Sequence, residues 1–144
     1  DIAVANYIAG RLRESGYREK SADGKSLRQS GKFKGLKAIG WHLAAYGRCQ
    51  VSMNVTDFRQ APPARVYAAA QQLAAESGVA VIGSELIGLV PEAAILAAGK
   101  HFAPSETAKI ALAGAAVKGL GLNLYPDFRI EERVVEWVLR NAKI

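Results

Sequence analysis

The sequence predicts an α+β fold: a ferredoxin-like split βαβ sheet whose first strand is missing from this chain, with additional C-terminal helices. Three observations carry this. The periodicities run helix, strand, strand, helix, strand, then three helices. The two adjacent strands are joined only by a short link at Gly47, which makes them antiparallel neighbours. The first five elements match β-α-β-β-α-β with its leading strand removed. The chain begins at Asp1 and enters helical pattern at once, so a preceding strand is expected to have been cut away.

Taken in order, Ala5, Ile8, Ala9 and Leu12 recur at helical spacing and predict a helix over 2–15, stopped by Gly16. Residues 17–35, "YREKSADGKSLRQSGKFKG", are polar and aperiodic and read as a long loop. Its 17–31 part is expected to be mobile until an anionic ligand orders it. "LKAIGWHLAAYG" reads as a strand, with "CQVSMNVTDF" as its partner. In the second, Val51, Met53 and Val55 fall on one side and Gln50, Ser52, Asn54 and Thr56 on the other. With helices covering one face of the sheet, the polar row is expected on the open face, Asn54 near its centre.

"APPARVYAAAQQLAAESG" is a helix with Pro63 in its first turn. Val66, Ala69, Ala70 and Leu73 form its buried stripe, and Gly78 stops it. "VAVIGSELIGLV" is a near-continuous apolar run, the pattern of a strand covered on both faces. Pro91 opens another helix, residues 105–118 form the next, closed by Gly119, and Ile130, Val134, Trp137 and Val138 put an apolar face on a last one near 129–141.

A chain of 144 residues is read as one domain; at this size about 70% of the unfolded surface can be buried. No apolar run approaches the ~20 residues that span a bilayer, so no membrane partner is expected. The single Cys49 excludes an internal disulfide and fits a reducing compartment, most simply the cytoplasm. Charge is uneven: residues 11–37 hold nine basic side chains against three acids, the whole net +6. Such a segment is either a solvated loop or the contact for an anionic partner.

No strong catalytic constellation is present. His42 and His101 are far apart, and His101 at a helix end has a sufficient explanation in the helix dipole. There is no phosphate-binding loop, no nucleophile elbow and no metal-ligand cluster, so no metal is expected. "GSELIGLVP" (83–91) stands out because Glu85 buried in an apolar strand would cost several kcal/mol if unpaired. Either Glu85 pairs with a lysine at the sheet surface, or Ser84 and Glu85 contact a polar ligand. Gly83 would permit close approach of a ligand or a second backbone.

"KFKGLKAIGW", "QVSMNVTDF" and "GSELIGLVP", in this order and at these separations, resemble the C-terminal subdomain of glutamate formiminotransferase; the closing "RIEERVVEWVL" resembles its terminal helix. The resemblance runs from about residue 2 to the end. It departs at His42, where the family usually has Tyr, and at Arg59 and Ala61, where it usually has an acid and Thr. The resemblance implies transfer of a formimino group from N-formimino-L-glutamate to tetrahydrofolate, a co-substrate, in histidine degradation. It implies two ferredoxin-like subdomains with folate between them. The acid–base histidine then belongs to the N-terminal subdomain, so no catalytic residue is expected in this chain, and the chain alone should be inactive. The implied folate contacts are Gln50, Ser52, Asn54, Thr56, Ser84 and Glu85, with Lys32, Lys34 and Lys37 meeting the glutamyl carboxylates. The N-terminal subdomain is the implied partner, and a homodimer is allowed. The alternatives are a nucleic-acid-binding ferredoxin-like domain, disfavoured by the lack of aromatics in the polar row, or a non-catalytic interaction domain.

Overall fold

The computed structural model describes residues 1–142. They form two compact units. One comprises residues 1–61 and 68–80; the other comprises residues 62–67 and the chain from Val81 onward. The class is α+β, as the sequence predicts, with five α-helices and two small antiparallel sheets among the described residues.

In the first unit, α1 (Ile2–Leu12) buries Ala5, Ile8, Ala9 and Leu12. Asp1 caps it by accepting from the Ala3 amide at 2.7 Å. The helix ends three residues earlier than its periodicity suggests. The carbonyls of Arg11 and Leu12 accept the Lys32 and Phe33 amides at 2.8 and 3.0 Å, so the incoming chain takes acceptors that would otherwise continue as helix. Arg13, extended, sends its guanidinium to the carbonyls of Gly16 and Ala38.

Residues 17–35 are not a structureless loop. Strands β1 (Tyr17–Lys20) and β2 (Ser26–Gln29) form an antiparallel hairpin, Tyr17 opposite Gln29 and Lys20 opposite Ser26. The turn closes through the Gly24 amide on the Ser21 carbonyl, 2.8 Å, with Gly24 at φ +80°, a conformation other residues rarely adopt. Asp23 accepts from the Ser21 hydroxyl and pairs with Lys25 at 2.9 Å. The Asp-Gly turn is legible in the sequence. The strands were hidden because, Tyr17 apart, every strand residue is exposed, so no apolar alternation marks them.

Strands β3 (Leu36–Leu43) and β4 (Arg48–Val55) form the second sheet, joined by a 3-10 turn at Ala44–Tyr46 and a left-handed Gly47. They pair antiparallel from Leu36 opposite Val55 to Leu43 opposite Arg48. Helix α1 packs on this sheet. Leu36 and Ala38 are buried beneath it, and the Asn6 side chain accepts the Gly40 amide at 3.1 Å. Met53 and Val51 share that face and are half-buried. Val55, expected beside them in the core, is 37% exposed because it lies at the strand end.

Helix α2 (Pro63–Glu76) buries Val66, Ala69 and Ala70 as its spacing predicts. Leu73 is only half-buried, and Ala74 completes the stripe.

The apolar run 79–90 is a correction. It joins neither sheet, so the third strand expected there does not form among the described residues, whose two sheets have two strands each. Apolar content suggested a covered strand, but a strand also needs a neighbour for its backbone groups. Here the Ser84 amide donates to the Gly121 carbonyl at 3.0 Å, and Val90 exchanges bonds with Arg133 and Val135. Ile82, Ile87 and Leu89 are exposed.

The second unit is helical. Helix α3 (Glu92–Phe102) packs on α4 (Lys109–Gly119), and α5 (Val135–Asn141) follows a 3-10 turn at Ile130–Glu132. Helix α4 starts four residues later than expected, after Glu106 accepts the Thr107 and Ala108 amides, each at 2.8 Å. The core joins Ala64, Ile95, Ala98, Ala113, Ala116 and Trp137. Glu92, in the first turn of α3, accepts the Trp137 indole N–H at 2.6 Å and Lys109 at 2.9 Å, with Arg140 at 4.0 Å. These donors hold its carboxyl below the usual glutamate range.

Candidate functional site: the open face of the β3–β4 sheet

In an antiparallel pair, directly opposite residues project to the same face. Leu36, Ala38 and Gly40 face α1, so the alternate residues face away from it. Three cross-strand pairs therefore share the face opposite α1: Lys37 with Asn54, Ile39 with Ser52, and Trp41 with Gln50. Lys37, Ser52 and Asn54 are exposed, and Gln50 is half-buried.

Two members of this surface are absent from the polar row. Trp41 is 55% exposed and Ile39 50% exposed. The signal that finds them is the alternation Lys37, Ile39, Trp41 within "LKAIGWHL", combined with the hairpin register. The arrangement has chemical content. Trp41 offers a flat apolar surface, Gln50 and Asn54 offer amide donors and acceptors, and Lys37 a cation at one end. Such a strip suits a planar, polar-edged ligand bearing negative charge.

The other expected contacts are dispersed. Thr56 lies just past β4 and its hydroxyl donates to the Gly35 carbonyl at 3.0 Å. Asp57 follows, accepting from the Gln60 side chain and then the Arg59 amide, which lowers its carboxyl below the ordinary aspartate value. Lys34 is exposed on the connection into β3. Lys32 lines a separate cleft with Arg11 and Tyr17. Ser84 and Glu85 belong to the other unit. The Ser84 hydroxyl donates to the Leu120 carbonyl at 2.6 Å, so it fastens the 79–90 segment to the end of α4. A Cβ on Gly83 would sit 2.9 Å from the Gly121 carbonyl oxygen; its close approach is to backbone. Glu85 is exposed, so the desolvation cost expected of a buried strand carboxylate does not arise.

His42 is an exposed residue opposite Cys49 near the end of β3, and His101 stacks edge-on against Phe102, 5.1 Å between centroids. Neither has an acid partner within ion-pair distance among the described residues. No group of three His, Cys, Asp or Glu is placed to hold a metal among the described residues.

A family profile described as the formiminotransferase domain matches residues 1–140. The chain belongs to the formiminotransferase domain family. It is 36% identical to the formimidoyltransferase-cyclodeaminase of Rattus norvegicus over 145 aligned positions, 96% of this chain and 25% of that protein. It is 32% identical to the protein of the same name from Dictyostelium discoideum, over 94% of this chain and again 25% of the relative. The glutamate formimidoyltransferase of Streptococcus pyogenes is 33% identical over 74% of this chain and 31% of its own length. The chain thus spans about a quarter of the length of the first two relatives. No helix among the described residues is long and apolar enough to cross a membrane.

Proposed function

We propose that this chain is the folate-binding half of a glutamate formimidoyltransferase, moving a formimino group from N-formimino-L-glutamate to tetrahydrofolate in histidine degradation. The observation that carries the reading is the strip of Trp41, Gln50, Ser52, Asn54 and Lys37 on the sheet face away from α1, in a chain of the formiminotransferase domain family. Trp41 is assigned to stack on the pterin or the benzoyl ring. The amides of Gln50 and Asn54 and the Ser52 hydroxyl read the pterin edge without the desolvation cost of full charges. Lys34 and Lys37 meet carboxylates at the glutamyl end, with Lys32 nearby in sequence. Thr56, Ser84 and Glu85 are the less favoured contacts, since two of their hydroxyls already bond to backbone.

The acid–base work is assigned to a partner N-terminal subdomain, because His42 and His101 have no acid within ion-pair distance among the described residues. The exposed apolar residues Ile82, Ile87 and Leu89, on a segment that joins neither sheet, are the kind of surface that a further strand of the complete enzyme would cover. A cytoplasmic, metal-free enzyme, with or without homodimerisation, fits this assignment.

The test measures tetrahydrofolate affinity and turnover in the complete enzyme. Asn54→Ala and Trp41→Ala should each weaken affinity, about tenfold to a hundredfold for a lost polar pair. The chain by itself should give no turnover. Unchanged folate affinity in both variants would overturn the reading, and tight oligonucleotide binding at physiological salt through Trp41 would replace it with the nucleic-acid one.

A further inference from the structure

A cleft of about 310 Å³ lies in the first unit, away from the strip on the open sheet face. Its wall carries Arg11, Lys32, Tyr17, Ser30 and Gln72, and Ala69 and Leu73 of α2 supply an apolar floor. No carboxylate lines it. The Arg11 guanidinium carbon sits 3.5 Å from the Tyr7 ring centroid and 4.3 Å from that of Tyr17. The two rings hold a half-buried cation in place. Yet neither Arg11 nor Lys32 has an ion pair or a side-chain hydrogen bond among the described residues. The backbone there is fixed as well: the Lys32 amide donates to the Arg11 carbonyl at 2.8 Å, tying the two cationic residues together.

A guanidinium stacked on rings leaves its N–H edge for acceptors, and that edge matches the geometry of carboxylate or phosphate oxygens. We propose that this cleft binds an oxoanion carried on a small ligand, with Arg11 and Lys32 as the charged contacts. The Ser30 hydroxyl and Gln72 amide add neutral donors, and the Ala69–Leu73 floor takes the apolar part. The cleft shares Lys32 with the expected folate contacts, but Gln50, Ser52 and Asn54 do not line it, so its binding is read separately from theirs.

The test titrates the chain, at fixed ionic strength, with inorganic phosphate and in parallel with glutarate. Binding is followed by NMR at the Gly31 and Lys32 amides and the Arg11 side-chain N–H. Saturable shifts confined to these groups are expected with at least one probe. A preference for phosphate assigns a phosphorylated ligand, and a preference for glutarate assigns a carboxylic one. Arg11→Met and Lys32→Gln should each weaken binding about tenfold. Arg18→Gln, an exposed charge outside the cleft, and Asn54→Ala should leave it within about twofold. If Arg11→Met disturbs the fold, Lys32→Gln decides, because its side chain is exposed and holds nothing. Shifts that never saturate with either probe overturn the proposal. So does equal weakening by Arg18→Gln, which would mean diffuse charge.

Discussion

Gly99→Ala tests the packing that builds the helical unit. A Cβ on Gly99 would lie 2.0 Å from the Leu112 carbonyl oxygen and 2.6 Å from its carbon, whereas real Cβ atoms essentially never come within 3.0 Å of a neighbour. The deficit against the oxygen is 1.0 Å, from 3.0 less 2.0, and the obstacle is backbone. α3 and α4 must therefore separate, and the loss spreads to Ile95, Ala98, Ala113 and Ala116 in the shared core. Overpacking of this kind costs about 1–3 kcal/mol, or more where backbone must move. Replacing a helix-interior glycine recovers about 1 kcal/mol. The expected net effect is a loss of about 0–2 kcal/mol, and more where the two backbones must part. Gly114→Ala is the internal control: it lies in α4 with nothing within 4 Å of its new methyl, so only the propensity gain of about 0.5–1 kcal/mol remains. Urea unfolding followed by Trp137 fluorescence, in a Trp41→Phe background, reads both signs. Stabilisation by Gly99→Ala equal to that by Gly114→Ala would refute the close approach of the two helices.

Four further outcomes are expected. Leu36→Ala, 1% exposed beneath α1, should cost about 2–5 kcal/mol, while Asn54→Ala on the opposite face should stay within about 0.5 kcal/mol by thermal melting; comparable losses would mean both faces are packed. Glu92 has a depressed carboxyl, so its stabilising contribution is present above the ordinary value of 4.5 and lost as pH falls through the lower folded value. Stability curves from pH 6 downward should therefore flatten in Glu92→Gln, and an unchanged slope would remove Glu92 from acid unfolding. Gly24→Ala, forced to hold φ +80°, should speed amide exchange across 17–29 without touching β3 and β4. In the unmodified chain the exposed β1–β2 hairpin should itself exchange faster than β3–β4, since a two-stranded hairpin is marginal alone; equal protection would contradict this.

Much of this molecule was readable from local pattern. Helices α1 and α2 and strand β4 follow from side-chain periods of 3.6 and 2, α3 and α4 from Pro91, Ala content and Gly119, and α5 keeps its apolar face while losing its first turns to a 3-10 segment. The alternation in "QVSMNVTDF" was enough to put Gln50, Ser52 and Asn54 on one face, because that spacing is intrinsic to a strand. Local pattern failed where a neighbour decides the outcome. β1 and β2 form without any buried face because the Asp23-Gly24 turn brings their backbones into register. Residues 79–90 carry every apolar sign of a strand and stay outside both sheets, since a strand's hydrogen-bond partners are supplied by other segments and leave no mark on the run itself. Composition could count the cations of residues 11–37, but only folding parts them. It brings Lys37 beside Asn54 and Trp41 onto the open face, and draws Lys32 to Arg11 in a separate cleft. Distance in space between residues far apart in sequence is set by packing and register, and no single stretch of chain encodes it.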